Sequence, residues 1–203
     1  MARAKCPRCE RPLRFCICQH LQPEQACCEV LILQHPDEVK HPLNTARIAR
    51  LGIENCKVLV GEDFSENPHL KILLENKKSC LLFPGDEAFQ PSEYQKIHGL
   101  PDVCILLDGT WRKARKILHL NPQLQSLPRI SLPENLESRY RIRKSPHQSA
   151  LSTIEATVCL MREFSGDPMV HQICLDSFRA MIDRQIEAMG RYVYEKNYRN
   201  RSK

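Results

Sequence analysis

No apolar run in the 203-residue chain approaches the length needed to cross a membrane. The opening residues, Met-Ala-Arg-Ala-Lys-Cys, place no apolar stretch behind their charges, so no secretory signal is expected and the cytoplasm is the expected compartment. The 7 glycines form neither Gly-x-Gly-x-x-Gly nor a P-loop, so nucleotide binding of those kinds has no support. His-Glu-x-x-His is missing, and nothing suggests a Ser-His-Asp triad. There are no internal repeats and no low-complexity linkers. What remains is an ordinary globular composition, 42% hydrophobic and 27% charged, of a length that makes one domain with a small appendage and buries a sizeable core.

The formal net charge is +6. Many proteins that bind no nucleic acid are as basic, so the distribution says more. Basic residues cluster at Arg112-Lys113 and Arg115-Lys116, from Arg139 to Lys144, and from Arg191 to Lys203. Such clusters form an electrostatic footprint for a phosphate backbone, or else solvated faces.

Cysteine is plentiful, at 11 residues, and in a cytosolic chain that argues against disulfides. Four of them stand at Cys6-Pro-Arg-Cys9 and Cys16-Ile-Cys18. A Cys-x-x-Cys loop offers two thiolates to one tetrahedral ion, and a second nearby pair completes the shell. The segment has no apolar core of its own, so a bound ion would supply its folding energy. We therefore expect a structural Zn2+ on Cys6, Cys9, Cys16 and Cys18, in an N-terminal module of residues 1–24. His20 is a substitute ligand, and four unliganded thiols are the alternative.

Beyond the knuckle, strands alternate with helices. Strands are expected at Cys27 to Leu33, Val58 to Val60, Cys80 to Phe83, Val103 to Leu107 and Arg129 to Leu132. Helices are expected from Asn44-Thr45 to Leu51, from Pro68, from Arg112 to Leu120, from Ser149 to Phe164, and as one amphipathic element from Pro168 to Tyr194. A capping box at Ser152-x-x-Glu155 would fit a later start of the penultimate helix. The alternation indicates an α/β fold with a largely parallel sheet flanked by helices.

The stretch Val103-Cys-Ile-Leu-Leu-Asp108-Gly-Thr-Trp111 organises the rest. A buried strand runs into a carboxylate, a hydroxyl and the sole tryptophan, and ligands of open α/β sheets bind at the carboxyl ends of strands. The plainer reading makes Asp108 a helix N-cap and Trp111 ordinary packing.

Asp108-Gly-Thr-Trp111 resembles the Asp-x-Thr-Trp signature of the DTW-domain proteins. Gln34-His-Pro-Asp-Glu38 with Asn44-Thr-Ala-Arg47, Leu82-Phe-Pro-Gly85, and Tyr140-Arg-Ile-Arg-Lys144 with Ser152-Thr-Ile-Glu155 agree with that family in order. The match runs from about Cys6 to about Met161. The family comprises tRNA-uridine aminocarboxypropyltransferases related to the SPOUT class. The resemblance therefore implies a SPOUT-like catalytic domain over residues 25–203 with a knotted C-terminal half. It also implies tRNA and S-adenosylmethionine as partners, and attack of uridine N3, in the variable loop, on the γ-carbon of the methionine moiety with loss of methylthioadenosine.

On that reading Asp108 is the base for N3, or else holds the cofactor's amino group. Trp111 pins the cofactor or stacks on uracil, and Thr110 meets the methionine carboxylate. Pro84 and Gly85 let the backbone approach the adenosine, Leu132 lines the adenine pocket, and Glu155 binds the methionine ammonium or caps its helix. Arg112, Arg139, Arg141, Arg143 and Lys144 are expected on the RNA, with His35 and Arg47 in weaker site roles. The alternatives are a SPOUT-type methyltransferase and a non-catalytic zinc-knuckle RNA-binding protein.

Overall fold

The computed structural model describes residues 4–133, 136–142 and 150–199. Five short apolar segments form one sheet: β1 (Glu29–Gln34), β2 (Cys56–Val60), β3 (Ser79–Leu82), β4 (Val103–Asp108) and β5 (Arg129–Ile130). The order is β2-β1-β4-β3-β5, and every pairing is parallel. Parallel strands are covered on both faces, which explains why every residue of β1 but Glu29 and of β4 but Leu107 is buried.

Eight α-helices are described, besides short 3-10 and π turns: α1 (Ala46–Gly52), α2 (Pro68–Asn76), α3 (Pro91–His98), α4 (Trp111–Leu120), α5 (Pro122–Gln125), α6 (Thr153–Ser165), α7 (Gln172–Met189) and α8 (Arg191–Tyr194). Alternate strand residues face opposite cores. Val30, Ile32, Cys104 and Leu106 pack with α1, α6 and α7, whereas Leu31, Leu33, Val103 and Ile105 pack with α2, α4 and α5. The result is a three-layer sandwich.

Several boundaries differ from the expectation. Helix α6 begins at Thr153, not Ser149, because Ser152 and Glu155 form the capping box that a late start required. The expected element from Pro168 to Tyr194 is split at Gly190, whose φ of 83° lies in the left-handed region that glycine occupies without strain. Helix α3 was not expected. Only Pro91 and Tyr94 on it are buried, so it carries almost no apolar stripe.

The N-terminal segment folds back on itself, with Cys6 N–H donating to the Arg11 carbonyl and Glu10 N–H to that of Cys6, both at 2.8 Å. It packs on the main body. Ile17 and Leu21 join the core beneath α1 and α7, Arg11 donates to the carbonyls of Pro42 and Asn44, and Arg184 of α7 donates to that of Cys16.

Strand β5 is hydrogen-bonded on both sides. Phe83 N–H donates to Ile130 at 3.0 Å, and on the far side Phe89 N–H donates to Arg129 and Ser131 N–H to Phe89, each at 2.9 Å.

Candidate active site

The strand order switches between β1 and β4. The chain leaves β1 toward β2 on one side and leaves β4 over β3 toward β5 on the other. A crevice opens at the carboxyl ends of strands where connections diverge in this way. Here it is a cavity of about 990 Å³, walled by the turn after β1, the ends of β3, β4 and β5, the 136–142 loop and the first turns of α4 and α6.

Asp108 lies on its floor, 8% exposed. Oδ2 accepts a hydrogen bond of 2.6 Å from Gln34 Nε2, and Oδ1 is bonded to the Thr153 hydroxyl at the start of α6. Asp108 does not cap α4. Thr110 does, accepting from Lys113 N–H through its side-chain oxygen. Trp111 is 46% exposed, so it is no core residue. Its indole stands at the mouth with Phe83 edge-on, ring centroids 6.0 Å apart.

Pro84, Thr110 and Leu132 also line the cavity, together with Asp108 and Trp111. Two expected ligand contacts are not on its wall. Gly85 sits against Arg129, and the Glu155 carboxylate accepts hydrogen bonds from Ser138, the Arg139 N–H and both Ser152 donors. Glu155 thus fastens the 136–142 loop to the α6 cap, which accounts for its burial without a ligand.

The expected basic residues divide by partner. Lys113 is tied to Glu38 at 2.8 Å and Asp37 at 3.2 Å, which raises its pKa, and Lys116 to Glu62 at 2.5 Å. Arg141 pairs with Asp183 of α7. Arg112, Arg115 and Arg139 are exposed, and among the described residues they have no ion pair. Arg143 and Lys144 lie outside the described residues. Tyr140 and Ile142 turn inward, Tyr140 edge-on to Phe178, so the polar-apolar alternation survives although the segment is not a strand.

His35 and Arg47 shape the wall and do not line it. His35 Nδ1 accepts from Asp37 N–H while Nε2 lies 2.5 Å from Glu62. Arg47 donates to the carbonyls of Cys9 and Val39 and pairs with Glu10 at 3.0 Å. Gln34, Asn44 and Thr153, which hold Asp108 or its partner, stand in the family-like stretches but were given no site role from the sequence. They lie 74, 64 and 45 positions from it, and a hydrogen bond between distant side chains leaves no periodicity.

The four knuckle thiols converge, with all sulfurs within 4.8 Å of one another. Cys6 and Cys18 are 3.7 Å apart and Cys9 and Cys16 3.8 Å. A tetrahedron with metal–sulfur bonds of about 2.3 Å has an edge of about 3.8 Å. The backbone N–H groups of Cys9 and Arg8 hold the Cys6 thiol down to about 6, while burial and the neighbouring thiols push Cys18 up to about 12, so the four share their protons and an ion would have to displace those that remain. The donor set therefore fits Zn2+ with no open position. His20 is outside the cluster, its ring facing Gln19 and Arg184.

A parallel sheet with a deep cleft at its switch point, a buried carboxylate on the floor and an indole at the mouth define an α/β ligand-binding protein with the makings of an enzyme. The chain belongs to the DTW-domain family, whose model matches residues 3–186. It is 31% identical over 192 residues to tRNA-uridine aminocarboxypropyltransferase 2 of Drosophila melanogaster, covering 91% of this chain and 76% of the relative. It is 28% identical to the protein of that name from Mus musculus, over 97% of this chain and 68% of the relative. The Macaca fascicularis protein of that name is 29% identical over 91% of this chain and 64% of its own length. No solved structure matches the chain.

Proposed function

We propose that this protein transfers the 3-amino-3-carboxypropyl group of S-adenosylmethionine to N3 of a uridine in tRNA, in the variable loop, releasing methylthioadenosine. The reading is carried by one coincidence. The family signature, Asp108 to Trp111, forms the floor and mouth of a cleft large enough for a cofactor and a base together. The first turns of α4 and α6 both open on that cleft and suit a ligand carboxylate.

Bound there, S-adenosylmethionine supplies a γ-carbon activated by its sulfonium. The protein's part is mainly positioning. Asp108 accepts the N3 proton. The indole of Trp111, backed by Phe83, stacks the pyrimidine. The Thr110 hydroxyl, whose oxygen already accepts the cap bond, donates its proton to the methionine carboxylate. Pro84 and Leu132 form the apolar wall against the adenosine. Arg112, Arg139 and Arg141 meet phosphates, Arg141 by exchanging Asp183 for one.

Residues 1–24 carry a structural Zn2+ on Cys6, Cys9, Cys16 and Cys18. The eleven free thiols fit a reducing compartment, the cytoplasm. We assign the fold to the SPOUT-like, knotted class. The support is that β5 runs between β3 and Phe89, so that residues 83–89 pass round its end.

Incubation with bulk tRNA and S-adenosylmethionine, with mass analysis of nucleosides and co-products, tests the activity. Methylthioadenosine with an aminocarboxypropyl nucleoside is expected. S-adenosylhomocysteine would mean methyl transfer instead, and tRNA binding without cofactor consumption would mean a non-catalytic RNA-binding protein.

A further inference from the structure

Gln34 ends β1 as Asp108 ends β4, and the two are register partners across the parallel pair. Gln34 is 3% exposed, and its side chain is oriented by a chain of hydrogen bonds with one consistent direction. The Arg47 N–H, in the first turn of α1, donates to Asn44 Oδ1 at 3.0 Å. Asn44 Nδ2 donates to the Glu38 and Val39 carbonyls at 3.0 and 3.3 Å. That fixes Asn44 Oδ1 as the acceptor facing Gln34, so the atom of Gln34 at 3.3 Å is its nitrogen. The same nitrogen gives its second hydrogen to Asp108 Oδ2 at 2.6 Å.

We propose that Gln34 is a positioning residue that keeps Asp108 ionised and aimed into the cleft; this rests on the reading of Asp108 as the base for N3. A buried carboxylate accepting a hydrogen bond from a neutral amide keeps its charge without competing for a proton, whereas a second carboxyl at this distance would share one. A glutamine serving only to satisfy buried polar groups would affect stability and leave the ionisation behind catalysis unchanged.

The pH dependence of kcat separates these cases. Gln34→Glu, which preserves shape, is expected to move the acidic limb upward by about one unit or more. Gln34→Met, of similar length and uncharged, is expected to lower kcat about 10- to 100-fold with the KM for S-adenosylmethionine nearly unchanged, and it carries the test if the glutamate variant does not fold. Asp108→Asn is the control, with a loss of about 100- to 10,000-fold expected. If Asp108→Asn is inactive while the folded Gln34 variants keep the wild-type kcat and pH profile, the role of Gln34 is overturned and the base stands. If Asp108→Asn turns over normally, both are overturned.

Discussion

Arg47, on the first helix, donates a hydrogen bond of 3.0 Å to the carbonyl of Cys9 inside the cysteine knuckle. With Arg11 reaching the carbonyls of Pro42 and Asn44, this couples the knuckle to the turn that walls the cleft, where His41, Leu43 and Asn44 sit. The knuckle is therefore a brace, more tightly joined to the body than a separate module would be.

Metal removal follows from that coupling. Chelation should expose residues 4–20 to protease, weaken tRNA binding strongly and reduce cofactor affinity by a lesser factor. Calorimetry with each ligand before and after chelation, with zinc added back, checks this. Cofactor binding lost in equal proportion to tRNA would contradict the assignment.

Charge accounting decides which cations meet RNA. Lys113 and Lys116 are held by Asp37, Glu38 and Glu62, and Arg141 must give up Asp183 before it meets a phosphate, whereas Arg112, Arg115 and Arg139 are exposed without ion-pair partners among the described residues. Replacing Arg112, Arg115 and Arg139 together by glutamine should weaken tRNA binding and flatten the slope of log K against log salt by about 2 to 3. Lys113→Gln should instead loosen the turn after β1 and leave the slope almost unchanged. Binding titrations at several salt concentrations give both numbers. An unchanged slope in the triple variant removes those arginines from the interface.

Much of the frame was legible in the sequence, because Val30 to Leu33 and Val103 to Leu107 are apolar runs that a doubly covered strand demands. The capping box at Ser152 and Glu155 was legible because its partners are three residues apart. Helix α3 was not, since only Tyr94 among its larger apolar residues turns inward. The break at Gly190 was hidden because the apolar spacing continues across it. Within the site, Asp108 and Trp111 stood out by type and placement. The support of Asp108 by Gln34 and Thr153, and the diversion of Glu155 from ligand to brace, depend on contacts across the fold that no local pattern encodes.

Gly52 closes α1 directly beneath α7. A Cβ built there would lie 2.4 Å from the Cys174 sulfur and 3.1 Å from Leu21. Gly52→Ala should therefore cost about 1–3 kcal/mol through overpacking, despite alanine's better helix propensity. Adding Cys174→Ala removes the obstructing sulfur, so the double variant should be more stable than the sum of the single losses implies. Denaturant unfolding of the four proteins in the cycle measures it. Strict additivity would show that the chain relaxes some other way.

His171 is fully buried at the start of α7 with φ of 55°, and among the described residues neither ring nitrogen has a well-aligned hydrogen bond, although Nδ1 lies 3.3 Å from the Glu24 carboxylate. Burial lowers its pKa from 6.5, and Arg162 adds to that, while Glu24 opposes it. The unfolded chain thus binds a proton near pH 6.5 that the folded chain refuses. Stability from this group is complete above the unfolded value and is lost as the pH falls below it, by at most about 1.4 kcal/mol per pH unit. Glu62 and Asp63 titrate below their ordinary values of 4.5 and 3.8 and contribute little from pH 6.5 to 5, and the Cys6 thiol, held down to about 6, contributes equally in both proteins and cancels in the comparison. His171→Asn keeps a residue that tolerates the positive φ and removes the titration. It should be less stable than the wild type at pH 7 yet lose less between pH 7 and pH 5. Urea denaturation across that range decides the matter, and parallel curves for the two proteins would mean that His171 is not the group taking up the proton.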